Sequence, residues 1–185
     1  MSVNDRFALR DSVEVSQGFG RPLASKMKMV GHVVAELRGP DGQLKQRESV
    51  HNLVTDVGDQ YHASLAYGTA GWTYRMKTGS ASTAAAKNGA GSFVAVADYN
   101  SGSAHAMAAT YPKVGASANI CQWQVLWAAG ENTNTIRRVG IVDNATDAGE
   151  ADASNTMSMA VFGADITKGA SDTLTCTWTI TFLGA

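Results

Sequence analysis

Between Thr173 and Phe182 the chain reads Thr-Leu-Thr-Cys-Thr-Trp-Thr-Ile-Thr-Phe, so Leu174, Cys176, Trp178, Ile180 and Phe182 fall at every second position with threonine between them. Side chains alternate sides along an extended strand, and the pattern predicts one dry face and one wet face. A helix would spread these five apolar residues around its circumference, and the β-branched threonines favour extended backbone. Such a strand cannot bury its dry face alone and requires a facing layer. The stretch Asn119 to Ala128 repeats the pattern, with Cys121, Trp123, Val125 and Trp127 on one face and Gln122 and Gln124 opposite.

Met27 to Leu37 also alternates, with Met27, Met29, Val33, Ala35 and Leu37 on one side and Lys28, Val30, His32, Val34 and Glu36 on the other. Gly39-Pro40-Asp41-Gly42 then has turn chemistry, Pro fixing φ and Gly supplying φ above zero, and the strand returns as Gln43 to Val50 in a predicted hairpin. Thr55 suits a helix N-cap, with Asp56 and Asp59 in the first turn. Val57, Tyr61 and Leu65 follow at four-residue spacing and predict a helix from Asp56 to Tyr67 that lays this face on a sheet and ends at Gly68 and Gly71. Shorter strands are predicted at Trp72 to Lys77, Phe93 to Ala97, Ile136 to Val142 and around Met157 to Phe162, with Gly140 as a bulge or a point of close approach. Pro112 confines Met107 to Val114 to an edge or a loop. Thr78 to Gly91 is almost wholly small residues and is expected as a surface loop; Asp98 to Ala106, Asp143 to Ser154 and Asp165 to Asp172 are expected as connections. The count is seven to nine strands spaced by turn signals, the pattern of a mainly β antiparallel sandwich or jelly roll with one short helix.

Residues 1 to 26 break this regularity. Phe7, Leu9, Val13, Val15, Phe19 and Leu23 are scattered among charges, and Gly18, Gly20 and Pro22 interrupt the backbone. The segment holds too many apolar residues for a plain disordered tail. It is expected to be an extended N-terminal arm, laid on a neighbouring subunit or on its own domain, ahead of a single β-rich domain over 27–185. Phe7, Leu9, Phe19 and Leu23 are the candidate partner-binding residues.

Composition narrows the partners. With 44% hydrophobic and 17% charged residues in 185, the chain suits one globular domain, and 19 Gly beside 3 Pro suits short strands joined by small-residue turns. A net charge of −1 gives no electrostatic case for nucleic acid or an anionic membrane as the main partner. Arg6, Arg10, Asp11 and Glu14 stand where a signal peptide would need an apolar run, so the expectation is a chain made in a cytosol. Cys121 and Cys176 lie inside predicted strands without a Cys-x-x-Cys pair and are expected as buried free thiols rather than a bridge.

Candidate chemistry is sparse. His32, His51, His62 and His105 form no metal-binding spacing, no glycine-rich phosphate loop sits in a βαβ unit, and no Gly-x-Ser-x-Gly elbow occurs. Asp143, Asn144, Asp147 and Glu150 cluster oxygens without the spacing of a calcium loop, which makes a solvated acidic turn the commoner outcome. Trp123, Trp127 and Trp178 sit on apolar strand faces and are expected in the core, leaving Trp72 as the tryptophan to consider for an interface. Neither catalytic residues nor cofactors are expected.

Several stretches, in order, resemble one family. His51-Asn52-Leu53-Val54-Thr55-Asp56-Val57-Gly58 resembles the "NLVTNxG" entry before a helix in small structural proteins of tailed bacteriophages, and Thr78 to Lys87 is similar to their "GTGTTAxxx" segment. Ala129-Gly130-Glu131-Asn132, then Ile136 to Asp143, then Ser171 to Ile180 are similar to their "AGEANxTIxEVGLFD … SDTLTVTWTITF" ending. The likeness covers most of residues 43 to 183, and Arg137-Arg138 departs from it where an acidic residue is usual. The resemblance implies a non-enzymatic virion protein, assembled in the host cytoplasm, and within that class a cement or decoration protein on the capsid surface. The implied partners are the major capsid protein and copies of itself. A tail-associated or fibre-adaptor protein and a virion-surface carbohydrate-binding module are the alternatives.

Overall fold

A computed structural model describes residues 28–66, 68, 71, 73–88, 105–143 and 155–183. Among them are β1 (Lys28–Arg38), β2 (Leu44–His51), β3 (Leu53–Val54), α1 (Asp56–Ala66), β4 (Tyr74–Gly79), β5 (His105–Ala106), β6 (Lys113–Val114), β7 (Ile120–Trp127), β8 (Thr135–Asp143), β9 (Thr156–Thr167) and β10 (Thr173–Leu183). The described residues hold ten strands where seven to nine are expected of the chain, because β3, β5 and β6 are two-residue pairings too short to carry a period. The expected strand at Phe93 to Ala97 lies outside the described residues, as do the arm and Trp72.

The strands form two antiparallel sheets packed as a sandwich. The first has the order β2-β1-β10-β7-β6 and the second β3-β9-β8-β4-β5. β10 lies at the centre of the first sheet, pairing along its length with β1, from Lys28 opposite Leu183 to Arg38 opposite Thr173, and on its other side with β7. Its apolar positions Leu174, Cys176, Trp178 and Ile180 are wholly buried, and the threonines between them are half-buried. In register they meet Trp127, Val125, Trp123 and Cys121. Val33, Ala35 and Leu37 of β1 extend this dry face, and Met76, Ile136, Val139, Ile141, Met157, Phe162 and Ile166 of the second sheet close over it. Cys121 and Cys176 are free thiols four register positions apart, about 13 Å at the usual strand rise and beyond disulfide reach.

The hairpin forms as expected. Gly42 takes a φ of 79°, its N–H donates to the Gly39 carbonyl at 2.9 Å, and Asp41 Oδ1 accepts from the Gln43 N–H at 3.1 Å. Gly140 is not a bulge: it pairs in register with Lys77 and Met159, and the irregularities flank it between Ile136 and Arg138 and between Ile141 and Val142. The first irregularity sets Ile136 and Val139, three apart in sequence, in the same core. β4 runs on through Gly79 and β9 through Thr167, past the expected ends at Lys77 and Phe162. Strand pairing with β8 carries both beyond the point where their apolar alternation stops.

The helix stands where it is expected, but it docks by a different face. Tyr61 is buried and Val57 half-buried, whereas Leu65 is 51% exposed, and the buried stripe is instead Gly58, Tyr61 and the half-buried His62. The helix packs on β9 and β3 and turns Tyr61 and His62, rather than Leu65, toward the strands. The Tyr61 ring meets Tyr74 edge-on at 5.7 Å, and Tyr74 lies 6.0 Å from Trp123. His62 meets Tyr61 and Phe182 edge-on at 5.4 and 5.5 Å.

Trp178→Asp is expected to abolish folding, because an unpaired charge in this core costs several kcal/mol against a stability of about 5 to 15 kcal/mol. Thr177→Asp, one residue away on the half-exposed face, should change the stability of the chain in dilute solution by no more than about 1 kcal/mol. Urea unfolding followed by tryptophan fluorescence separates them. A second expectation concerns acid. Burial pushes the His62 imidazole below its usual basicity, Asp59 only partly offsets this, and Nε2 has no hydrogen-bond partner. Below about pH 6.5 the unfolded chain binds a proton that the folded chain resists, so stability is highest above that pH and falls as pH drops toward the folded value. His62→Phe should flatten the fall in urea midpoint between pH 7 and pH 5; an unchanged slope would show that another group carries it.

Candidate interaction surface

The two sheets differ in what covers them. Register places three rows across the outer face of the first sheet: His51, His32, Thr179 and Gln122, with Lys113 at the edge; then Ser49, Val34, Thr177 and Gln124; then Arg47, Glu36, Thr175 and Leu126. Neighbours along a row pair with one another. Gln122 Nε2 donates to Thr179 Oγ1 at 3.3 Å, Gln124 Nε2 donates to Thr177 Oγ1 at 3.0 Å, and His32 Nε2 shares a 2.7 Å hydrogen bond with Ser49 Oγ. Ionic groups gather in the third row and beyond it, where Glu36 lies 3.4 Å from Arg47 and 3.3 Å from Arg38. These exposed pairs add little stability. Leu126 is 49% exposed in the third row.

The second sheet is covered on both faces, and its outer cover is residues 80–88. Arg138 of β8 is wholly buried beneath this segment; its Nε donates to the Ala81 carbonyl at 2.8 Å and its Nη2 to the Thr83 carbonyl at 2.9 Å. Val142 and Met159 bury a small apolar cluster there against Ala85. Lys87 ties the far end, its Nζ donating to the Val54 carbonyl at 2.8 Å and to Asp59 Oδ2 at 2.5 Å, while the Lys87 carbonyl accepts from the Asp56 N–H at 2.7 Å. The expected surface loop is therefore a strap, fixed by hydrogen bonds that a composition of small residues does not announce. Arg137, beside the buried arginine, faces out and meets Asp165 at 3.2 Å.

The stretch His51 to Gly58 carries the chain from one sheet to the other, and Asn52 and Thr55 in it are tied to β9. The Asn52 N–H donates to the Gly31 carbonyl at 3.2 Å, and Asn52 Nδ2 donates to Ser158 Oγ, which donates in turn to the Leu53 carbonyl at 2.9 Å. A side chain on Gly31 would occupy the space of the Asn52 amide. Thr55 caps the helix, its Oγ1 accepting from the Gly58 N–H at 3.1 Å while donating to carbonyls of β9. A Cβ on Gly58 would sit 2.1 Å from the Met157 carbonyl oxygen, so only glycine lets helix and strand meet this closely. Beside the crossing is a cleft of about 330 Å³ lined by Lys28, Met29, Gly31, Asn52, Leu53, Val54, Asp59 and Lys87. Its lysine at position 87 is already saturated by acceptors of the chain itself.

Other ionisable groups are dispersed. Asp172 is buried, takes the Lys45 ammonium at 2.9 Å and the Gly169 N–H at 3.0 Å, and is held below the usual carboxylate range by these bonds. Lys168 is buried nearby, its Nζ donating to the Ala128 carbonyl at 2.8 Å, and burial lowers its basicity. His105 lies 3.4 Å from Glu131 at the edge of the second sheet. Of the acidic cluster only Asp143 is described, and its Oδ1 accepts from the Thr73 N–H at 2.8 Å. Among the described residues no three His, Cys, Asp or Glu side chains come together as a metal site. Trp123, Trp127 and Trp178 are buried as expected, and the arm residues Phe7, Leu9, Phe19 and Leu23 lie outside the described residues. Ser158 and Lys168 were not singled out from sequence, and Arg138 was noted only as part of a departure from the resemblance; the available signal for its burial was a charged residue inside an apolar strand.

Comparisons with protein families, with curated proteins and with solved structures return no match.

Arg138→Met is expected to leave the Ala81 and Thr83 carbonyls without these donors and to loosen the strap. Amide exchange over residues 80–88 should rise at least tenfold, with a loss of about 2 to 3 kcal/mol in stability, while β7 and β10 stay protected. Unchanged exchange over 80–88 would mean that the strap is held by its other contacts.

Proposed function

We propose that this chain is a non-enzymatic structural protein of a tailed bacteriophage particle, a cement or decoration protein that binds the outer capsid surface and stabilises the head. The ordered set of motifs that resembles phage structural proteins supports the reading. Much of its polar and glycine content has structural work in the fold: Asn52, Thr55 and Gly58 build the sheet crossing, and Arg138 anchors the strap. What these motifs leave to the outside is surface. The observation that carries the proposal is the asymmetry of the sandwich: among the described residues the strap covers the outer side of the second sheet, whereas the first presents an outer face whose central row is neutral. The root of the arm, at Lys28, begins a strand of that open sheet.

On this reading the arm binds the major capsid protein or a neighbouring copy through Phe7, Leu9, Phe19 and Leu23. Such side chains gain about 25 cal/mol per Å² of apolar area removed from water, and Gly18, Gly20 and Pro22 let the backbone follow a partner's contour. The test adds purified full-length protein, or the same protein lacking residues 1–26, to undecorated capsids and measures occupancy and the temperature at which the heads rupture. Full-length protein should saturate the capsids and raise that temperature, and the deletion should lower occupancy at least tenfold. Binding to tails and not to heads would move the protein to the tail. Equal occupancy by both proteins would remove the arm as the attachment device.

A further inference from the structure

We propose that the outer face of the first sheet is an interface between two copies of this chain, packed face to face about a twofold axis. A sheet face left to water ordinarily carries charged side chains along its strands, yet the central row here, Ser49, Val34, Thr177 and Gln124, holds no ionisable group. Charges are displaced to the margins: Glu36, Arg38 and Arg47 at one end, Lys113 at the β6 edge and Lys28 at the other end of β1. A neutral centre meets its own copy without like charges being forced together, which is the condition an isologous contact has to satisfy.

Part of the polar capacity of this face is met within it. The hydroxyls of Thr177 and Thr179 accept from Gln124 and Gln122, and His32 pairs with Ser49, which leaves the Gln carbonyls and the Thr hydroxyl protons to pair across the interface or with trapped water. Val34 and the half-exposed Leu126 supply apolar area beside them. The size is adequate. The four long strands cover on the order of 600 Å² in projection at the usual spacing and rise, and the accessible area of a pleated face exceeds its projection. A standard stable interface takes about 800 Å² per partner. Two such faces would stack about 10 Å apart with strands about 30° from parallel, as sheets in a sandwich do.

This inference concerns the free protein and stands apart from capsid binding. Sedimentation velocity of the full-length chain over a hundredfold concentration range should show a monomer–dimer equilibrium. Hydroxyl-radical oxidation of Leu126 should fall as the dimer fills, with Leu65 on the helix as the unchanged control. Thr177→Lys and, on the neighbouring strand, Gln124→Lys should each raise the dissociation constant at least tenfold while leaving the circular dichroism of the monomer unchanged. Mixing Thr177→Lys with Thr177→Glu should restore association. A chain that stays monomeric at every concentration overturns the proposal, as does a dimer indifferent to both lysine variants. A dimer that disappears on deletion of residues 1–26 but survives Thr177→Lys assigns association to the arm. If the lysine variants weaken capsid binding and the free chain is monomeric, the face belongs to the capsid.

Discussion

Trp178 opposite Trp123 is the contact on which the sandwich depends. The two indoles are cross-strand neighbours on the dry face of the first sheet, one wholly buried and the other 3% exposed. Large aromatic side chains opposite one another on adjacent strands bury the most area per residue and fix register, since a slip of one residue would turn the whole apolar set outward. Neither indole N–H has a hydrogen-bond partner, so the pair is stabilised by packing alone and bears the cost of two unmet donors. Smaller residues, Ala35, Cys176 and Ala160, belong to the same buried core. Once these positions point inward, parity sends Thr175, Thr177 and Thr179 outward, and the threonine row of the outer face follows from the same constraint.

Much of this was legible in the sequence because a strand with one covered face writes a period of two. β1, β7 and β10 do so, and all belong to the first sheet, where the turn at Gly39 to Gly42 adds β2 as the returning strand. The second sheet is covered on both sides, and its strands lose the alternation: Thr156 to Ala160 is buried without interruption, as is Arg138 to Val142. A continuous buried run gives no phase from which to read ends or bulges, and the ends of β4 and β9 and the position of the bulges were misplaced there. The strap was illegible for a further reason. Its anchoring is by backbone carbonyls of Ala81 and Thr83, and any residues would supply those.

The crossing between the sheets was visible only as a string of residues. Thr55 could be assigned as a cap from its type and position, and it is one. That Asn52 bridges to Ser158, more than a hundred residues on, and that Gly58 makes room for β9, requires the strand that arrives last from the other sheet. Local chemistry is readable locally, whereas a contact formed at such separation is set by topology.

The register of Lys28 opposite Leu183 has a mechanical consequence. Antiparallel neighbours that are pulled apart from the same end open like a zipper, so tension between the arm and anything attached beyond Leu183 loads the pairs of β1 and β10 one after another. Tension between the arm and a body seated on the sheet face runs along β1 instead. To yield, that strand would have to slide past β2 and β10 together, breaking many hydrogen bonds at once. A cargo fused behind Leu183 would hang from the weak direction of the fold, while a load shared by arm and face would be borne in shear.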